Sequence, residues 1–231
     1  MAGKVRVKVW GDYACFTRPE MKVERVTYPV MTPSAARGIL EAIFWRPEFR
    51  YRISRIGVLK LGRQMVILRN EISDRQGRTP IFVEDKRQQR SSLVLKDVAY
   101  IIEGEMVLRP HATEPLAKYL DMFARRVKRG QYFHTPYLGT REFPAHFDEV
   151  REEDTPPPIQ LSIGPMLLDV AYVEDKNRRE FSFRKPGKSA PVSGYAQAVF
   201  FQAELQDGWL HVPKEKYDEL WRLEERSCST T

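Results

Sequence analysis

The sequence predicts an α+β protein built in two parts, and three observations carry that expectation. Residues 1–147 offer, in order, a strand, a helix, further strands, a second helix and a closing strand. An acidic, proline-rich stretch from Asp148 to Pro158 then breaks the pattern. Beyond it lie short strand segments separated by turns, and one charged helix.

Val5, Val7 and Val9 alternate with Arg6, Lys8 and Trp10, the period of a half-buried strand, until Gly11-Asp12. Thr32 is placed to cap a helix that opens on Pro33, and Ala36, Ile39, Leu40 and Ile43 give it one apolar stripe before Arg46-Pro47 stops it. Tyr51 to Leu59 and Leu61 to Ile72 read as extended. The polar stretch 73–92 holds Arg75, Arg78, Lys86, Arg87 and Arg90 and is expected to be loop-like, forming a basic hairpin or arm. Tyr100 to Leu108 returns to strand character. Thr113-Glu114-Pro115 opens a second helix with a stripe of Leu116, Leu120, Phe123 and Val127, ended by Gly130, and a strand near Tyr137-Leu138 closes the series. That order suggests a ferredoxin-like (RRM-like) N-terminal domain over residues 1–147. Residues 148–231 hold strand candidates at Met166 to Val173, Phe181 to Phe183, Gln197 to Leu205 and Trp209 to Val212. With a turn at Asp207-Gly208 and a helix from Lys214 to Arg226, they read as a small antiparallel β domain.

The formal net charge is +7, from 38 Lys and Arg against 31 Asp and Glu, and an excess of that sign favours a polyanionic partner. Cys15 and Cys228 are distant and form no C-x-x-C pair, which fits a reducing compartment. No apolar run approaches the roughly 18 residues of a membrane span, and no apolar leader precedes the first strand, so a cytoplasmic location is expected.

The second predicted helix carries Lys118, Arg125 and Arg129 at spacings that place them opposite the core stripe, with Arg126 and Lys128 widening the patch. Guanidinium groups make bidentate contacts with phosphate, so such a face can follow a nucleic-acid backbone. Arg50, Arg52 and Arg55 flank Tyr51, an interleaving of cations and rings that suits unpaired bases. Gly139-Thr140-Arg141 can bring backbone close to a phosphate, or can be an ordinary turn. His111 and His134 bracket the basic helix and are candidates for proton transfer. The four histidines lack metal-ligand spacing and no nucleotide-binding glycine motif is present, so no metal and no cofactor are expected.

Three segments carry a family resemblance: Trp10-Gly11-Asp12-Tyr13-Ala14-Cys15-Phe16-Thr17-Arg18-Pro19, Ala35-Ala36-Arg37-Gly38-Ile39-Leu40-Glu41-Ala42-Ile43, and Leu138-Gly139-Thr140-Arg141-Glu142-Phe143-Pro144-Ala145. They resemble the subtype I-C branch of the fifth CRISPR-associated family, whose members belong to the repeat-associated RNA-binding proteins. The match is strongest over residues 4–147, and Met166-Leu167-Leu168-Asp169 is its best segment beyond.

The resemblance implies a metal-independent endoribonuclease that cuts CRISPR repeat RNA beside a hairpin by 2′-OH attack. It also implies that the protein stays on the processed guide within a type I-C surveillance complex, beside that complex's backbone and large subunits. In related members the reacting groups are attributed to a Tyr at the end of the first helix and a Lys-His pair in the second. The matching positions here are Phe44, Lys118 and Tyr119. Lys118 retains the cation that stabilises phosphorane charge, and Tyr119 is expected to relay a proton if the lysine lowers its pKa. Phe44 can stack but cannot donate. Tyr119, His111, His134 and Tyr51 therefore stay open as acid or base, with a non-catalytic crRNA-binding subunit or a basic DNA-binding protein as alternatives.

Overall fold

The computed structural model describes residues 2–21, 23–74, 77–185 and 189–225, so Arg75, Arg226 and Cys228 lie outside the described residues. It is an α+β molecule dominated by antiparallel pairing. The elements are β1 (Ala2–Ala14), β2 (Arg25–Val26), α1 (Pro33–Ile43), β3 (Phe49–Lys60), β4 (Arg63–Ile72), α2 (Val83–Lys86) and β5 (Arg87–Leu108). They are followed by α3 (Leu116–Lys128), β6 (His146–Asp148), β7 (Leu161–Glu174), β8 (Phe181–Phe183), β9 (Val192–Gln206), β10 (Trp209–His211) and α4 (Lys214–Glu225). The sheet runs β6-β1-β5-β3-β10-β9-β7, with β2 and β4 on β5 and β8 on β9.

The helix ends obey local chemistry. Thr32 Oγ1 accepts from the Ala35 amide at 3.3 Å and Pro33 occupies the first turn, where its missing N–H costs nothing. Gly130, at φ +62°, closes α3: its amide reaches the Val127 carbonyl and the Gln131 amide reaches that of Arg126, which together satisfy carbonyls the helix would leave open. Ala36, Ile39, Leu40 and Ile43 of α1, and Phe123 and Val127 of α3, are buried against Val5, Val7, Val9, Ile53 and Ile102. Helices and core therefore share one side of the sheet.

Two expected boundaries move. Arg87–Ser92 is strand rather than loop, because it pairs in register with Ile72–Ile67 and makes a long polar ribbon of β4 and β5 tipped by α2. Charged residues on both faces hide its alternation. The closing strand is β6, which pairs with Lys8–Trp10, whereas Tyr137 makes only a single bridge to Pro144. Leu138 instead lends its carbonyl to the Cys15 amide at 3.0 Å, and the chain turns at Gly139.

The proline-rich connection is tied down. Asp154 is buried and paired with Lys8, and Pro156 and Trp209 crowd Gly57 of β3. At the β9–β10 turn Asp207 and Gly208 both have positive φ, the geometry of a type I′ hairpin, and β10 then pairs with β3, so one sheet runs through both halves of the chain. α1 and β7 are joined by Arg37, whose Nε and Nη2 reach the Asp169 carboxylate at 2.5 and 3.0 Å while Nη1 holds Glu41.

Candidate nucleic-acid interface

On the sheet side that faces away from the core, several cations are paired across the strands. Arg6 and Arg55 both reach Glu103, at 2.8 and 2.6 Å, and Arg52 holds Glu105, each pair directly opposite across the strands. Arg52 and Arg55 are thereby committed to internal partners. Arg50 reaches Glu225 at 3.4 Å and stacks 3.5 Å over the Trp221 ring. Tyr51 points the other way, as alternate residues of a strand must, and is buried with its hydroxyl donating to the Phe44 carbonyl at 2.7 Å. It offers no surface to a base.

The three positions drawn from the family pattern do come together, but two of them face inward. Phe44 packs on Phe49 at 5.4 Å between ring centroids, and Phe49 packs on Tyr119 at 5.4 Å. Both Phe44 and Tyr119 are buried. Tyr119 lies on the apolar stripe of α3, one turn before Phe123, so helical spacing turns it into the core and leaves Lys118 outside. Burial, then Glu48 and Glu114, raise the Tyr119 pKa; the Glu114 backbone and Lys118 pull it down by less. The lysine's effect has the expected sign and is outweighed. Lys118 itself is exposed and pairs with Glu114 at 2.7 Å.

Arg126 leaves the basic face. Its guanidinium donates to the Ile43 carbonyl at 2.8 Å and sits 5.2 Å over the Phe44 ring, so it caps the end of α1. Arg125, Lys128 and Arg129 remain exposed. His111 is exposed and meets the Pro47 carbonyl at 3.1 Å. His134 lines a hollow with Thr135, Tyr137 and Arg141, which brings two candidates together. Gly139 is glycine for an internal reason: at φ +88° a Cβ would lie 2.1 Å from the Cys15 carbonyl oxygen, so the close approach is to the protein's own backbone.

The sequence reading does not single out three exposed rings near the ends of α1 and α3. Trp45, Tyr132 and Phe133 are half or more exposed, and the Phe133 amide bonds the Ala42 carbonyl at 2.8 Å, which sets that segment against the end of α1. Their signal is two adjacent aromatics just after the helix-ending glycine, outside any strand. Among the described residues no group of three or more His, Cys, Asp or Glu is placed to hold a metal, and no helix is long and apolar enough to cross a membrane.

Fold and surface define a basic α+β protein in which α3 presents Arg125, Lys128 and Arg129 to solvent and Trp45, Tyr132 and Phe133 are exposed rings, and cations with open rings are the chemistry that suits unpaired nucleic acid. The chain belongs to the CRISPR-associated protein (Cas5) family: the Cas5d family model matches residues 5–213. It is 63% identical, over 96% of both chains, to a protein of Thermus thermophilus named CRISPR pre-crRNA endoribonuclease Cas5d. A Mannheimia succiniciproducens protein of the same name is 41% identical over 92% of this chain and 96% of its own. A solved CRISPR-associated protein shares the fold, with a TM-score of 0.63 at 20% identity over 92% of this chain and 93% of that one.

Proposed function

We propose that this protein binds CRISPR repeat RNA, cuts it as a pre-crRNA endoribonuclease, and stays on the guide as a subunit of a type I-C surveillance complex beside the backbone and large subunits. The observation that carries this reading is 63% identity along 96% of both chains to a protein of that name. The strand order β6-β1-β5-β3, with α1 and α3 on one side, supports a ferredoxin-like domain over residues 1–147, and β7 to β10 with α4 support a small β domain over 148–231. The β4–β5 ribbon fits the basic arm near 73–92.

RNA here meets the helix side rather than the sheet, whose cations are already paired. Arg125, Arg129 and Arg141 hold backbone phosphates, and Trp45 and Phe133 offer stacking faces. In cleavage the 2′-oxygen attacks phosphorus, its proton goes to a base, and the departing 5′-oxygen takes a proton from an acid. Lys118 stabilises the phosphorane charge without needing a metal ion. His111 and His134 are exposed imidazoles flanking α3 and serve as the candidate base and acid, with His111 held at the Pro47 carbonyl. Buried Tyr119 keeps its proton and steadies the ring cluster under Lys118.

The test is cleavage of repeat RNA in EDTA. Lys118→Ala and His111→Ala should each slow it by about 100-fold or more while leaving binding within a few-fold. Replacing the 2′-OH next to the scissile phosphate by hydrogen should abolish it. Full activity in Lys118→Ala refutes the assignment. Tight binding with no turnover favours the structural subunit, and equal affinity for duplex DNA at fixed salt favours the DNA-binding reading.

A further inference from the structure

A cleft lies where β3, the end of β5, β7, β8 and α4 converge. Its volume is 340 Å³, and its walls are Arg50, Arg109, Tyr172, Phe183, Arg184, Lys185, Glu224 and Glu225. That size is near the lower end of small-molecule sites, enough for a single nucleotide. Four cations face two carboxylates, so the excess is positive. Tyr172 is half exposed and forms a cluster with Phe181 and Phe183 at 5.6–5.9 Å between centroids, leaving an aromatic face open to the cleft's rim.

The cations are only partly satisfied. Arg109 Nε is buried without a hydrogen-bond partner among the described residues, and Arg50, stacked on Trp221, reaches the exposed Glu225 only through two long contacts of 3.4 Å from Nη1 and Nη2. Burial lowers the Arg50 pKa; Glu225 opposes this and Arg109 adds to it, so the two guanidiniums crowd each other. An anion between them relieves that repulsion. Lys185 is spoken for by Glu174, at 3.5 Å, whereas Arg184 is exposed at the mouth. The cleft also adjoins the edge assigned to cleavage: the Arg109 amide bonds the Glu48 carbonyl at 2.8 Å, and His111, two residues on, meets Pro47.

We propose that this cleft binds one unpaired nucleotide of the RNA flanking the cut, its base against Tyr172 and Phe183 and its phosphate on Arg50, Arg109 and Arg184. The proposal rests on the RNA-processing reading. Aromatic stacking and guanidinium contacts together favour a nucleotide over an acidic peptide, which would leave the rings unused.

The experiment measures binding of repeat-hairpin RNAs that carry no extension, an unpaired 5′ extension or an unpaired 3′ extension, at one salt concentration, by fluorescence anisotropy. One extension should tighten wild-type binding by about tenfold. The Tyr172→Leu/Arg184→Gln double variant, changed only at exposed positions, should lose that gain and bind the bare hairpin as wild type does. Glu225→Gln removes a carboxylate from the wall and should tighten the extended RNA. A double variant that keeps the full gain, or a wild type indifferent to both extensions, overturns the cleft assignment while leaving hairpin binding intact. Equal losses in the double variant and Glu225→Gln also overturn it, as a general structural effect. A wild type that binds no hairpin removes the RNA reading itself, and the cleft's role with it.

Discussion

Arg37→Ala tests whether one ion pair locks α1, which carries the family motif, to β7 in the second half of the chain. The Arg37 guanidinium grips Asp169 through Nε and Nη2 and holds Glu41 through Nη1. The Asp169 side chain is 5% exposed and that of Arg37 31%, so truncating the arginine strands a carboxylate in the interior while the arginine had retained part of its hydration. Asp169 raises the Arg37 pKa well above the ordinary guanidinium value, against the effect of burial, with Glu41 adding to it. Removing one partner of a fully buried pair costs about 3–5 kcal/mol; the partial exposure of Arg37 brings the expectation to about 2–3 kcal/mol. For a chain of this size that corresponds to a fall in Tm of roughly 5–10 °C. The assay is thermal and urea unfolding followed by circular dichroism. Arg37→Leu combined with Asp169→Leu should recover most of the loss, because no charge is then left without a partner. If Arg37→Ala lies within about 0.5 kcal/mol of wild type, the pair is ornamental and the reasoning fails.

Other consequences can be checked alongside. Gly139→Ala places a methyl 2.1 Å from the Cys15 carbonyl oxygen at φ +88°, so it should destabilise by about 3 kcal/mol or more, read as a drop in the urea midpoint; a neutral change would show that the turn can open freely. Asp154 is pushed up by burial but held lower overall by Lys8 and the Arg151 amide, so its folded pKa lies below the ordinary 3.8. Its stabilisation is therefore present above that value and lost as pH falls through the lower folded one. Asp154→Asn should lower stability at pH 7 by about 1–3 kcal/mol and narrow the gap to wild type under acid, which a pH series of melts will reveal. Phe133→Ala should weaken single-stranded RNA binding by about five- to tenfold with no change in Tm, and equal affinity would remove this ring from the interface.

Most of the fold was legible because the signals that set it are local. Thr32-Pro33, the stripe of α1, Gly130 and Asp207-Gly208 each specify a backbone geometry that neighbouring residues complete on their own. The misread segments depend on distant partners. Arg87–Ser92 looks like loop because its charges carry no alternation of polarity, and it becomes strand only against Ile67–Ile72 of β4. Leu138 reads as strand from its own neighbourhood, yet its carbonyl is claimed by Cys15, more than a hundred residues earlier.

The site was less legible, for a reason that sequence pattern cannot overcome: a cation's type is local but its availability is not. Arg52, Arg55 and Arg126 all have the right chemistry for phosphate, and Glu105, Glu103 and the Ile43 carbonyl engage each of them within the fold. Lys118 and Tyr119 are adjacent, and a rotation of about 100° per residue sends one to solvent and the other under Phe49. Hence the charge excess points to a class of partner, while the pairing of individual cations within the fold decides which of them a ligand can reach. With Arg6, Arg52 and Arg55 held in ion pairs on the sheet, the free cations of α3 and the exposed Trp45 and Phe133 are the reason the proposed RNA surface is the helix side.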